Sequence, residues 1–149
     1  MTDKSVYGIM DIGGDARGAY ALGRYVPALL EENNYRMVFV ANCYRPLTRT
    51  PEEALEVMRE IEAACGLAFT DIINNSNLAS ETTAETVLSS VAYVEELSRI
   101  SGLPIFATSA EQRVATELEG KLSNVLPLQL QEKYFDLPSQ HQGNRPLWG

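Results

Sequence analysis

Five consecutive apolar residues, Met37-Val38-Phe39-Val40-Ala41, constrain this chain more than any other feature. The run does not alternate, as a half-solvated strand would; Arg36–Cys43, which carries it, reads as a β-strand covered on both faces. Such strands belong to parallel sheets, whose crossovers carry helices. The rest of the chain repeats that rhythm. Val6-Tyr7-Gly8-Ile9-Met10 reads as a first strand within Ser5–Met10, Phe69–Asn74 as a third, Pro104–Thr108 as a fourth, and Val125-Leu126-Pro127-Leu128 as an edge strand. Pro127 discourages a central position there.

Helical stretches fall between these runs. Residues Ala19 to Glu32 place Leu22, Tyr25, Val26, Leu29 and Leu30 on one stripe, and Pro27 inside it kinks the helix or starts a second, shorter one. Thr50-Pro51-Glu52-Glu53 has the form of a capping box with proline in the first turn. Ala54, Leu55, Met58, Ile61 and Cys65 continue its apolar face, and Gly66 is placed to stop it. Thr82-Thr83-Ala84-Glu85 opens a long helix ending near Ser101-Gly102, and Ser109-Ala110-Glu111-Gln112 opens another to about Leu118. The expected fold is therefore α/β, a Rossmann-like and mostly parallel sheet with helices on both faces. Residues 1–138 form one domain, and 139–149 a polar, loose tail. Because the first strand begins almost at Met1, nothing precedes it to cover the sheet edge. Pairing with another copy or another chain is expected.

In doubly wound sheets, ligands collect outside the carboxyl ends of the strands. Those ends carry Asp11, Gly13, Gly14, Asp15 and Arg17; then Asn42, Tyr44, Arg45, Thr48 and Arg49; then Asn74, Asn75, Ser76 and Asn77; then Thr108 and Ser109. Asp11-Ile12-Gly13-Gly14-Asp15 suits a Mg²⁺–phosphate site: the carboxylate can hold the ion's water shell, and the glycines admit a phosphate to the backbone. It reads equally as a tight turn with an Asx hydrogen bond. Arg45 and Arg49 offer forked donors to a phosphate or carboxylate, or are solvated surface cations. The Asn74-Asn75 amides suit an adenine edge, or simply close a turn.

Composition narrows the classes. The chain has 149 residues and a net charge of −8, which argues against a broad nucleic-acid or anionic-lipid surface. No apolar stretch approaches the roughly 20 residues that span a bilayer. Cys43 and Cys65 lack metal-ligand spacing, and His141 is the single histidine. Reduced thiols of a cytoplasmic protein are the expected reading. No G-x-x-x-x-G-K-[ST] phosphate loop occurs.

Three segments in order, Asp11–Asp15, Arg45-Pro46-Leu47-Thr48 and Asn74-Asn75-Ser76-Asn77-Leu78, resemble the C-terminal half of MinD/ParA/CobQ-type P-loop ATPases over about Val6 to Leu128. The resemblance implies an ATP/ADP and Mg²⁺ site. Asp11 would lie near the metal through water, Gly13 and Gly14 by the terminal phosphate, and Asn74 or Asn75 by adenine. The family's phosphate loop has no counterpart in this chain, so strong ATPase activity is not expected unless another chain supplies it. Three functions follow as expectations: a truncated or split nucleotide-binding domain, completed by a homo-oligomer or a missing N-terminal half; a non-enzymatic, oligomerising interaction module that retained the fold; and an enzyme acting on an anionic metabolite in an Arg45/Asn74/Thr108 cleft.

Overall fold

The structure, a computed structural model, describes residues 8–13 and 16–130. Four strands form one all-parallel sheet: Val38–Ala41 (β1), Asp71–Asn74 (β2), Ile105–Glu111 (β3) and Val125–Leu128 (β4), in the spatial order β1-β2-β3-β4. The α/β class is as expected, and β4 is the edge strand that Pro127 indicates. Helices Ala16–Gly23 (α1) and Val26–Glu32 (α2) precede the sheet, and Pro27 sits in the first turn of α2, where its missing N–H costs nothing. Pro51–Cys65 (α3) links β1 to β2. Ala84–Leu88 (α4) and Val91–Ser101 (α5) lead to β3, and Gln112–Leu118 (α6) connects β3 to β4.

Strand order and register decide where the helices lie. Sequential parallel strands joined by crossovers of one hand put every connecting helix on the same side. Paired residues of neighbouring parallel strands share a face. Phe39 pairs with Ile72, Ala41 with Asn74, and Asn74 with Thr108, so these residues share one face, and all five are buried. Phe39, Ala41 and Ile72 belong to a core that also holds Leu22 and Ala19 of α1, Met58 and Ile61 of α3, and Val94 and Leu97 of α5. Farther along the same face, Ala110 packs with Val87 of α4 and with Val114 and Leu118 of α6, with Val125 of β4 against them.

The opposite face carries Val38, Val40, Asp71, Ile73, Ser109, Leu126 and Leu128. Val40 is 58% exposed and Leu126 40%. Phe106, at an irregularity in the β2–β3 register, is 46% exposed and lies 4.6 Å beneath the Arg36 guanidinium, which also reaches Asp71 at 3.0 Å. The second helix layer expected over this face has no counterpart among the described residues.

The first strand needs correction. Gly8–Met10 are exposed coil, with Ile9 97% exposed, while Ser5–Tyr7 lie outside the described residues. An apolar run becomes a strand only where a neighbour takes its backbone bonds, and among the described residues β1 is paired with β2 alone. The polar tail expected over 139–149 also lies outside the described residues.

Candidate functional site

The carboxyl ends of β1, β2 and β3 are tied into one rim by their own polar groups. The Asn75 amide N–H donates to Ala41 O at 2.7 Å, and the Cys43 N–H donates to Ser76 Oγ at 3.1 Å. From β3, the Ser109 hydroxyl donates to Asn75 Oδ1 at 2.8 Å. The Tyr44 hydroxyl donates to Thr86 O at 2.8 Å, joining the first loop to α4. Burial, reinforced by neighbouring Cys43, pushes that phenol's pKa up, so it stays a neutral donor. Cys43 and Tyr44, which lead into the Arg45–Thr48 loop, are thereby tied to the Asn74–Asn77 segment and to α4.

Most of the rim's hydrogen-bonding capacity is consumed internally. Asn74 is fully buried: its Nδ2 donates to Ser90 Oγ at 2.8 Å and its Oδ1 accepts from the Ser76 N–H at 3.2 Å. An amide so engaged holds β2, the following turn and the α4–α5 junction together. Asn75 spends its carbonyl on Ser109, Asn77 closes an Asx turn with Ala79 N–H, and the Thr48 hydroxyl donates to Asn42 O at 2.7 Å. The amino end of α3 is equally closed: Thr50 Oγ1 accepts from Glu53 N–H, and Glu53 Oε2 accepts from the N–H groups of Thr50 and Arg49. A carboxylate already occupies the place a phosphate would take at a helix start.

Arg45 and Arg49 are exposed and make no ion pair among the described residues. The cleft beside their loop, about 240 Å³, is lined by Pro46, Leu47, Glu53, Glu56, Val57 and Glu60. Its carboxylates oppose an anion. A second cleft of about 180 Å³, between α5 and β3, is smaller than the roughly 300–1,000 Å³ of a typical ligand pocket.

Asp11 and Gly13 lie in the exposed segment before α1, while Gly14 and Asp15 fall outside the described residues. Gly13 rests against α1: a Cβ on Gly18 would stand 2.6 Å from Gly13 O, so the close approach depends on Gly18. Among the described residues no group of three or more His, Cys, Asp or Glu side chains could hold a metal ion, both cysteines are free, and no helix is long and apolar enough to cross a membrane.

The contributions of Ser90, Thr86 and Cys43 to the rim were not read from the sequence. Their partners lie 16, 42 and 33 residues away, and no local pattern connects them. Compared with known proteins, the chain matches no family model, no curated sequence and no solved structure. Fold and rim together define an α/β protein with an open parallel sheet.

Proposed function

We propose that this chain is an oligomerising interaction module built on a MinD/ParA-like α/β half, and that a second copy adds its β1 to the free edge of β1. The observation that supports this most is that edge. Asn75 N–H bonds to Ala41 O on the β2 side, so by alternation the N–H and C=O groups of Val38 and Val40 point away from β2, toward no other strand among the described residues. A row of this kind is a template for strand addition. The segments that precede β1 also leave Ile9, Met10, Tyr20, Tyr25 and Leu30 exposed, apolar side chains available for contact with a second copy. Two-fold pairing would make one continuous eight-stranded sheet.

The test is solution mass by light scattering. The wild-type chain is expected at twice its monomer mass. Val40→Pro removes only an outward N–H from an edge strand, and is expected to give a monomer with unchanged far-UV circular dichroism. A wild-type monomer at all concentrations would overturn the reading. Nucleotide binding is the second reading, favoured by Arg45 and Arg49, which are exposed beside the rim and make no ion pair among the described residues. It predicts a calorimetric signal with Mg²⁺-ADP that Arg45→Ala plus Arg49→Ala abolishes.

A further inference from the structure

Buried polar side chains in this fold are almost all engaged, and one exception opens on a cleft. Seven polar residues are buried among the described ones. Asp71, Asn74, Ser76, Thr82, Ser90 and Ser109 each place their side chain in a hydrogen bond. Thr108 does not. Its N–H donates to Asn124 O at 3.0 Å, but its hydroxyl, in a residue 5% exposed, has no hydrogen-bond partner among the described residues. A hydroxyl withdrawn from water without a partner is costly, so a ligand that supplies one is favoured there.

The cleft is the one of about 180 Å³ between α5 and β3, and Thr108 is part of its lining. Val94, Ile105 and Leu122 give it apolar walls, while Glu95 and Asn124, both exposed, border its opening. Glu95 makes no ion pair among the described residues. Neither Arg45 nor Asn74 lines this cleft, so it is not the anion site expected from the sequence. At roughly 30 Å³ for a water it holds about six, which limits an occupant to about six non-hydrogen atoms. A nucleotide is far too large for it.

We propose that this cleft binds a small aliphatic ammonium with a hydrogen-bonding group at its other end, the class of short amino alcohols. The inner group pairs with Thr108 Oγ1, the methylenes lie against Val94, Ile105 and Leu122, and the ammonium sits at the opening beside Glu95. An anion of the same length is opposed by the Glu95 carboxylate.

The test is an amide chemical-shift titration of the full chain with 4-aminobutan-1-ol, read at Thr108 and Asn124. A dissociation constant in the millimolar range is expected, about what so few atoms can reach. Butan-1-ol should bind several-fold more weakly, and 4-hydroxybutyrate not at all. Thr108→Val should weaken the amino alcohol about fivefold and erase its advantage over butan-1-amine, which lacks the hydroxyl. Glu95→Gln should weaken it about threefold, whereas Glu60→Gln, at an exposed carboxylate of α3, should leave it unchanged. Without ligand, Thr108→Val should hold or raise the thermal midpoint; a fall would show a hydroxyl already engaged and overturn the proposal. Absence of shifts at Thr108 and Asn124, equal binding of 4-hydroxybutyrate, or an affinity indifferent to both substitutions in folded protein would overturn it as well. Failure of β1 pairing changes the solution mass and not these shifts.

Discussion

At the residue scale, two side chains set the character of the interior. Asn74 is held by Ser90 and by the Ser76 N–H in a site with no access to water. Asn74→Ala strands the Ser76 N–H and the Ser90 hydroxyl's acceptor, and is expected to cost about 1–3 kcal/mol in urea unfolding. Tyr93, on α5, has the opposite problem: its phenol oxygen is buried without a hydrogen-bond partner among the described residues. Burial, then the charges of Cys43 and Glu53, push its pKa well above the ordinary 10.0. Because the folded-state value is raised, the folded chain holds this proton more tightly than the unfolded one. The resulting stability is fully present below pH 10 and is lost as pH rises beyond it. Tyr93→Phe is expected to hold or gain up to about 1 kcal/mol at neutral pH and to flatten the alkaline limb of the stability profile. A steeper limb in the variant would contradict this. Neither role is visible in the sequence: Asn74 in a turn-forming run looks like a ligand group, and Tyr93 looks like ordinary core.

At the scale of elements, local chemistry was legible wherever it closes on itself within a few residues. Thr50 caps α3 with Glu53, Gly66 ends it at φ 80°, Pro27 starts α2, and Gly102 ends α5. It misled where tertiary contacts compete for the same groups. Ser109-Ala110-Glu111-Gln112 has the spacing of a capping box, yet β3 continues through Glu111 because Ala110 and Glu111 pair with Pro127 and Leu128, and the Ser109 hydroxyl goes to Asn75. The cap of α4 is Thr83 with Thr86, one residue beyond the pattern, since the Thr82 hydroxyl serves Leu78 N–H and Ala79 O. The helix expected to run unbroken to Ser101 is divided between α4 and α5, where Ser90 bonds to Val87 O and to Asn74. Gly18 matters in a way spacing does not reveal. Gly18→Ala should drive the Gly13 segment off α1 and cost about 1–3 kcal/mol of thermal stability, whereas Gly8→Ala, with nothing within 4 Å, should be neutral.

At the scale of the molecule, the alternation of strand and helix was enough to give a parallel α/β sheet. It was not enough to say which faces are covered, because the apolar runs of β1 and β2 look the same whether the second layer comes from their own domain, another segment or another chain. Met37–Ala41 has the sequence of a strand buried on both sides, and Val40 nevertheless stands exposed. That mismatch bears on the proposal that β1 meets a second copy. The hydrogen bonds that join the ends of β1, β2 and β3 are long-range and could not be read from residue types alone. Pairing of β1 is read most directly from the backbone amides of Val38 and Val40, measured by hydrogen exchange in solution, with Phe39 and Ala41, which face β2, as an internal reference. If β1 takes a strand from a second copy, the Val38 and Val40 amides will exchange slowly at high protein concentration and faster on dilution. Exchange at those two positions as rapid as in the Arg45 loop, at every concentration, would contradict it.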